Sequence, residues 1–478
     1  MPTPERVGAI GIATRGGSAD RTAIRSYAVD VSLEDDLRAA VAGLMPRIQA
    51  DLESLVRIPS CAFVGFPREP VRAAAGETSR ILESVGLTTG LIDIPGGEPA
   101  VVGTSSREGA PRVLLYAHYD VQPAGDLDKW HTPPFDPVVR DGRLYGRGAA
   151  DDKSGIVMHA GALEAVRQVL GEIPLDVTVL VEGEEECSGP LADFVLDHPD
   201  VVQADAVVIA DVGNRALGEP TLVTALRGLV DCIVEVRTLP GPAHSGAYGG
   251  PAPDALLALI RILDTLRDSN GDTTIVPGFH WEGAPVDEED YRAEIGLRPD
   301  QPLLGTGTLA DRLITRPSAS VIGIDAPSVE GAINAVIPHA RAKVSLRIPP
   351  GADPAEAMAA LVAHLTAAAP WGVEVTVTPG DSGRGALIPT GGPAYSAACD
   401  ALERAFGGAA QEAGEGGSIP LIASILQVCP TAEVMLMGAE EPQCLIHAPN
   451  ESVDLGELQR MVLAEAMFLA RFAGRALD

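Results

Sequence analysis

The chain of 478 residues is longer than one hydrophobic core usually serves, and its 46% hydrophobic content is ample for two folded domains. A formal net charge of −31 at pH 7 excludes nucleic acid and anionic membrane surfaces as partners, because the chain would repel polyanions. The six cysteines lack paired short spacings, and we find neither a signal peptide nor a membrane-length apolar run. These features predict a cytoplasmic protein.

Residues 1–31 are rich in Gly, Arg and Ser without periodicity, so we expect a mobile tail or a mis-assigned start there, not an element of the fold. Apolar positions at helical spacing then predict one helix over Leu33–Val56 and another over Val71–Val85. Short buried-type strands alternate with a further helix, at Val113–Ala117, Gly155–Leu170, Val177–Val181 and Val207–Ala210. This alternation predicts an α/β layer with a mostly parallel sheet.

The order of elements changes past Gly228 and predicts a separate ferredoxin-like α+β domain. The predicted elements of its βαββαβ order are Val230–Val236, Pro253–Arg267, Ala319–Ile324, Ala340–Ile348, Pro354–Ala369 and Val373–Thr378, with a long irregular insertion after the first helix. We therefore expect a catalytic domain in two parts, residues 32–226 and 383–478, with residues 227–382 inserted between them. A terminal helix is predicted over Leu455–Phe472.

Residues of metal-ligand type follow each of the three predicted strands of the first part. His118 and Asp120 follow the first strand, the run Glu182–Glu186 follows the second, and Asp211 follows the third. In open α/β sheets, sites gather outside the carboxyl ends of the strands. We therefore expect these side chains to meet at one edge of the sheet.

His118 and Asp120 are two residues apart in an extended segment and so face the same side. A carboxylate behind an imidazole fixes the tautomer of a metal-binding histidine, although a lone His there is as readily a hydrogen-bonded core residue. The adjacent Asp151 and Asp152 stand where a Gly-rich loop leads into a helix. They fit either a helix cap or a carboxylate that bridges two cations.

The acidic run Glu182–Glu186 directly follows a buried-type strand, where so much negative charge is costly unless cations or protons offset it. Two neighbouring glutamates allow one to coordinate metal while the other takes a proton from water. With Asp211 and with His447 in the segment IHAPNE, they offer mixed N/O ligation. Such a set suits zinc or manganese better than magnesium.

Two residues of the inserted domain are candidates for substrate contact. His244 lies in GPAHSGAYGG, a Gly-rich loop that can approach a substrate closely. Arg347 shares one face of a predicted strand with Lys343 and Ser345. It fits either a bidentate clamp for a carboxylate or a surface ion pair.

At this point the motifs HYDVQP, WHTPPFDP and YGRGAADDK resemble a known family. They are similar to the dinuclear zinc exopeptidases that include glutamate carboxypeptidase, succinyl-diaminopimelate desuccinylase, aminoacylase and carnosinase, and most of all to the carnosinase and bacterial dipeptidase branch. The resemblance implies the α/β catalytic domain of that family with an inserted ferredoxin-like lid, through which two chains form a homodimer.

The resemblance also implies a role for individual residues. It implies two divalent metal ions, Zn²⁺ with Mn²⁺ or Co²⁺ as alternatives, held by His118, Asp151, Glu186, Asp211 and His447. Asp151 would bridge both ions and precede a cis peptide bond. The roles implied for the other site residues are general base for Glu185, orienting carboxylate for Asp120, oxyanion donor from the neighbouring subunit for His244, and substrate pocket for Asn334, Arg347, Gly417 and Ser418.

Together these features predict a cytoplasmic metallodipeptidase that hydrolyses small peptides with water activated by two metal ions. The alternatives are a carboxypeptidase or N-acyl amino-acid hydrolase of the same family, and a non-catalytic metal-binding protein. Aspartate at position 211 favours the dipeptidase, because in this family glutamate there accompanies carboxypeptidases and deacylases.

Overall fold

The computed structural model describes residues 32–187, 189–417 and 419–478. The predicted tail and Ser418 therefore lie outside the described residues. The first elements in chain order are α1 (Leu33–Val56), α2 (Glu69–Ser84), β1 (Thr88–Ile92), β2 (Ala100–Ser105), β3 (Arg112–His118), β4 (Val138–Arg140), β5 (Arg143–Tyr145), α3 (Lys153–Leu170), β6 (Asp176–Glu182), α4 (Leu191–Asp197), β7 (Ala206–Ile209) and β8 (Thr221–Leu226).

Helix α1 shows why the sequence forms these elements. The Ser32 hydroxyl accepts a hydrogen bond from the Asp35 backbone N–H at 3.2 Å, and acidic residues fill the first turn. The apolar positions that predicted the helix, from Leu37 to Leu55, are the ones that it buries. They pack against α3 and α11 in a core on one side of the large sheet.

A second set of elements follows, in the segment predicted as the inserted domain. These elements are β9 (Gly228–Arg237), β10 (Ala243–His244), α5 (Ser245–Tyr248), α6 (Ala255–Asp264), α7 (Glu288–Glu294), β11 (Ser318–Asp325), β12 (Ala335–Val336), β13 (His339–Ile348), α8 (Pro354–Ala367) and β14 (Glu374–Gly383). The sheet order β11-β13-β9-β14 is antiparallel throughout, and α6 and α8 share one core with it. This is the predicted ferredoxin-like arrangement, which the structure confirms.

The last elements return to the large sheet. They are β15 (Ala386–Leu387), α9 (Pro393–Phe406), β16 (Gln411–Glu415), α10 (Pro420–Val428), β17 (Glu433–Leu436), β18 (Ser452–Asp454) and α11 (Leu455–Phe472). Helix α11 has its predicted bounds, whereas α9, β16, α10 and β17 were not predicted. Strand β17 matters most, because it pairs with β7 inside the sheet.

The large sheet has the order β1-β2-β6-β3-β7-β17-β8-β15, with β16 paired to β8. Its centre, β6-β3-β7-β17, is parallel as predicted, but β1, β2 and β15 are antiparallel to their neighbours, so the sheet is mixed. The carboxyl ends of four parallel strands consequently meet at one edge. None of the described helices is long and apolar enough to span a bilayer.

Candidate active site

The carboxyl edge of the parallel strands gathers the ligand-type residues. His118 is the last residue of β3, and Glu182 is the last residue of β6 beside it. Asp211 follows β7, and Glu440 follows β17. Because β6, β3, β7 and β17 are consecutive parallel strands, these residues are brought to one place by sheet order alone.

The buried imidazole of His118 faces three carboxylates. Its Nδ1 lies 3.1 Å from the Asp120 carbonyl and 3.4 Å from the Asp120 carboxylate. Its Nε2 lies 3.0 Å from Asp151 and 3.6 Å from Asp211. With Nδ1 donating to Asp120, Nε2 is left as the nitrogen that can coordinate a cation.

The two adjacent aspartates divide the roles that the sequence left open. Asp152 caps α3, accepting the Gly155 N–H through Oδ1 at 3.1 Å, and accepts the His118 N–H through Oδ2 at 3.3 Å. Asp151 instead points one oxygen at His118 and the other at His447, whose Nε2 lies 2.9 Å away. The peptide bond between the two aspartates is cis.

Asp120 shapes the turn that carries the two glutamates. Its two carboxylate oxygens accept the backbone N–H groups of Glu185 and Glu186, each at 3.1 Å. Glu186 then lies 3.2 Å from His447 and accepts hydrogen bonds from the backbone and side chain of Gln122. One buried carboxylate therefore orients the His118 ring and the glutamate turn together.

These side chains form overlapping groups that could hold metal ions. The ligand atoms within each group lie within 4.8 Å of one another, and the groups are His118, Glu185 and Asp211; Asp151, Glu186 and His447; and Asp151, Asp211 and Glu440. The first two groups meet because His118 contacts Asp151. Nitrogen and oxygen donors at this spacing fit zinc or manganese.

The electrostatics of the cluster also fit bound cations. Burial and the neighbouring carboxylates raise the pKa of Asp211 to about 6, although its contact with His118 opposes that shift. Burial, followed by Asp211, raises the pKa of Glu185 well above its usual range. The side chains of Asp151 and Glu186 raise the pKa of His447 to about 10. So many buried carboxylates facing two histidines call for positive charge.

Two acidic residues of this region were missed by the sequence analysis. Glu440 is 7% exposed, and its Oε1 has no hydrogen-bond partner among the described residues. Glu451 is fully buried and accepts the backbone N–H groups of Ala150 and Asp151, at 3.1 and 3.2 Å. The feature that could have identified Glu440 is its position shortly after β17, but this strand was not predicted from the sequence.

No hydrogen bond or ion pair of the described residues joins the predicted substrate-contacting residues of the inserted segment to this cluster. His244, exposed at the end of β10, accepts the N–H groups of Gly246 and Ala247 through Nδ1, at 3.1 and 3.3 Å. The proton is thereby assigned to Nε2, which is left as a donor. Asn334 is adjacent, because its carbonyl accepts the Ser245 N–H.

Arg347 and Gly417 complete the predicted set. Arg347 is half-buried on β13, and burial lowers its pKa. We find no ion pair between it and a carboxylate in the described chain, so the surface ion-pair interpretation is not realised there. Gly417 is exposed in the loop between β16 and α10. Of the two predicted pocket residues in this loop, Gly417 is therefore accessible, and Ser418 lies outside the described residues.

Comparison with protein families gives one assignment. The model of peptidase family M20/M25/M40 matches residues 114–471. Among curated proteins, the chain is 39% identical to a cysteinylglycine-S-conjugate dipeptidase of Corynebacterium striatum, over 82% of this chain and 88% of that protein. It is 30% identical to the beta-Ala-His dipeptidase of Rattus norvegicus, over 75% and 77% of the two chains.

Solved structures show the same fold. The di-peptidase Dug1p of Saccharomyces cerevisiae superposes with a TM-score of 0.79 at 22% identity, covering 93% of this chain and 99% of that one. Human carnosine dipeptidase 1 gives the same TM-score, identity and coverage. The predicted fold class, α/β with a ferredoxin-like insertion, is confirmed by these neighbours.

Proposed function

The chain belongs to peptidase family M20/M25/M40, and from that premise we propose that it is a metal-dependent dipeptidase. The observation that carries the proposal is the contact between His118 of the first metal-ligand group, which also contains Glu185, and Asp151 of the second group. A base next to a two-cation site is the arrangement that hydrolysis of an unactivated amide needs. The dipeptidase relatives support the substrate class.

The donor set would hold two divalent cations, Zn²⁺ with Mn²⁺ or Co²⁺ as alternatives. His118 and Asp211 would serve one ion, Glu186 and His447 the other, and Asp151 both. Bound there, the cations would supply a Lewis acid for the scissile carbonyl and would make the attacking water easier to deprotonate. The carboxylate cluster described above supports this stoichiometry.

Glu185 acts as the general base of the proposed reaction. It takes a proton from the attacking water and passes it to the leaving amine. Its raised pKa, which burial and Asp211 cause, suits a group that must accept and return a proton. Asp120 positions Glu185 through the backbone N–H that it accepts.

Residues of the inserted segment complete the site across a homodimer. His244 would donate Nε2–H to the developing oxyanion of the neighbouring subunit, since its Nδ1 is engaged by Gly246 and Ala247. Arg347 would bind the carboxylate of the dipeptide with a guanidinium that has no described acidic partner. Asn334, Gly417 and Ser418 would line the same pocket.

The edge of the smaller sheet supports the dimer. Strand β11 is the terminal strand in the order β11-β13-β9-β14. It exposes Val321, Ile322 and Ile324, which are 44%, 58% and 50% accessible. An exposed apolar edge strand is a natural surface for pairing with a second chain.

We also propose the predicted division into a catalytic domain of residues 32–226 and 383–478 and a lid and dimerisation domain of residues 227–382. The separate cores of the two sheets support it. The cysteines of the described chain are all free, which supports the cytoplasm as the compartment.

A substrate panel tests the proposal. The purified protein, loaded with Zn²⁺ or Mn²⁺ and checked by metal analysis, is assayed with dipeptides that have free amino groups and with their N-acetylated and C-amidated analogues. We expect hydrolysis of the unmodified dipeptides and large losses with both analogues. A preference for acetylated substrates would replace the dipeptidase with an acyl-amino-acid hydrolase, and inactivity of the metal-loaded protein on every substrate would leave a non-catalytic protein.

A further inference from the structure

A cavity of about 500 Å³ lies between the irregular insertion and the base of the smaller sheet, outside the metal-ligand groups. Four arginines line it, Arg227, Arg267, Arg312 and Arg316, whereas Asp272 is the one carboxylate among the described lining residues. In the whole chain, 35 basic residues face 66 acidic ones. The local charge is therefore opposite to what the composition predicts.

The hydrogen bonds of these arginines orient their guanidinium groups without neutralising them. Arg227 donates to the carbonyls of Leu313 and Arg316, at 2.9 and 2.7 Å. Arg312 donates to the carbonyls of Thr308 and Leu304, at 3.3 and 3.1 Å. Carbonyl oxygens hold a guanidinium in place but carry no net charge, so the positive charges remain.

The other two arginines follow the same pattern. Arg267 donates to the carbonyls of Gly271 and Ala319, at 2.9 and 3.0 Å. Among the four, Arg316 is the one that forms an ion pair within the described chain, with its Nη1 3.6 Å from an Asp272 carboxylate oxygen. That carboxylate also accepts hydrogen bonds from Thr306. Among the described residues that line the cavity, one carboxylate therefore accompanies four guanidinium groups.

Arg227 is the member of the set that most needs a further partner. It is 6% exposed, and its buried Nε has no hydrogen-bond partner among the described residues. Burial and the nearby Arg347 lower its pKa to about 10, which reflects the uncompensated charge. The Arg227 guanidinium lines the cavity without a carboxylate partner among the described residues, which favours an anion in that space.

From this cavity we propose that the protein has a second ligand site, which binds a small anion with two or more oxyanionic groups. Carboxylate and phosphate or sulfate oxygens share the geometry that arginine donors recognise. Ser318, Thr273 and Gln301 also line the cavity and provide neutral donors for the same oxygens.

The position of Arg227 gives the site a consequence for the molecule. Arg227 is the single residue between β8 of the large sheet and β9 of the smaller one. Its backbone N–H donates to the backbone carbonyl of Glu415, at the end of β16, at 3.2 Å. An anion held by Arg227 therefore contacts the connection between the two sheets.

Calorimetric titration of the metal-loaded full chain tests the proposal, with sodium sulfate and sodium tricarballylate as probes at constant ionic strength set by NaCl. The test variant is Arg312→Gln. The matched control is Arg298→Gln, which removes the same charge from the same insertion at a side chain that is 74% exposed and does not line the cavity. Circular dichroism establishes that both variants fold.

We expect saturable binding of at least one probe, weakened about tenfold by Arg312→Gln and unchanged by Arg298→Gln. Binding of sulfate alone identifies a tetrahedral oxyanion site, and binding of tricarballylate alone identifies a carboxylate site. The absence of saturable binding at millimolar probe would overturn the proposal. So would equal weakening by both substitutions, which indicates long-range charge only, or binding insensitive to Arg312→Gln, which places the anion elsewhere.

Discussion

Glu451 accepts a hydrogen bond from the backbone N–H of Asp151 at 3.2 Å, although 300 residues separate the two in the chain. The same carboxylate pairs with the buried guanidinium of Arg147 at 2.5 Å and accepts the Gly148 N–H at 3.0 Å. Glu451 therefore fixes the whole Gly-rich loop that presents Asp151 to the two histidines. The placement of Asp151, the proposed shared ligand, depends on a residue that is not itself in one of the candidate ligand groups.

Replacing Glu451 with glutamine should weaken metal binding and destabilise the fold. The substitution preserves shape but leaves Arg147 buried without its counter-charge, which typically costs about 3 kcal/mol or more. Loss of support for a ligand typically lowers metal affinity roughly 10- to 100-fold. Metal titration and urea unfolding measure the two effects.

A matched control for that experiment is Glu53→Gln, because Glu53 pairs at 3.2 Å with the exposed Arg57 that caps the C-terminal end of α1. An exposed pair contributes little, so this variant should resemble the wild type in both assays. If Glu451→Gln resembled Glu53→Gln in metal affinity, Glu451 would have no role in placing Asp151.

Glu185 and Glu186 are adjacent, but substitution of each should change a different property of the enzyme. Glu185→Gln removes the proposed base and should lower kcat about 10²- to 10⁴-fold with metal content retained. Glu186→Gln removes a carboxylate that lies 3.2 Å from His447 and should lower the metal content itself. Metal analysis beside steady-state kinetics separates the two outcomes, and near wild-type turnover in Glu185→Gln would remove Glu185 from the mechanism.

Glu440 should make the stability of the metal-free protein depend on pH. Burial, followed by Asp151 and Asp211, raises its pKa well above the usual range. The native state then keeps a proton that the unfolded chain releases above about pH 4.3, so this contribution to stability is complete below that pH and falls as the pH rises. Glutamine has no such proton to lose.

The free energy of unfolding of metal-free Glu440→Gln, relative to that of the wild type, should therefore increase between about pH 5 and about pH 8. The expected increase is at least about 1 kcal/mol, which corresponds to one pKa unit. Urea midpoints of both proteins, stripped with a chelator, measure the difference. Glu441→Gln is the contrast, since it breaks the 2.6 Å pair with Arg143 and should destabilise at both pH values. A pH-independent difference for Glu440→Gln would show that Glu440 is ionised in the native state.

The sequence was sufficient to predict that ligand-type residues after recognisable strands would gather at one edge of the sheet. His118, Glu185, Glu186 and Asp211 each follow an apolar run, and the structure places them together at the edge expected for parallel strands. The sequence could not decide whether the aspartate pair caps a helix or bridges cations. The two residues differ, because Asp152 caps α3 while Asp151 points into the cluster.

Site residues that are positioned by contacts between distant segments could not be predicted from the local sequence pattern. Glu440 reaches the cluster because the four-residue strand β17 inserts beside β7, and nothing in its own segment records that pairing. Glu451 is likewise defined by Arg147, whose segment lies 304 residues away. Burial of their carboxylates is a tertiary property, and it is what gives both residues their importance.

His244 should act across the proposed dimer. In the single chain its Nε2 faces away from the backbone donors that engage Nδ1, and no hydrogen bond or ion pair of the described residues joins it to the metal-ligand groups. His244→Ala should retain metal and lower kcat roughly 100- to 1000-fold, as removal of an oxyanion donor does. Mixing subunits distinguishes action across the dimer from action within one chain.

Dimers that combine one His244→Ala subunit with one Glu185→Gln subunit provide that test. If His244 serves the partner's site, one site of each mixed dimer has both Glu185 and His244, and activity should return to about half of the wild-type value per mixed dimer, since one site of two is intact. If His244 serves its own chain, both sites lack one group and the mixture stays inactive. Co-purification with two different tags isolates the mixed dimers, and homodimers of each variant set the baseline.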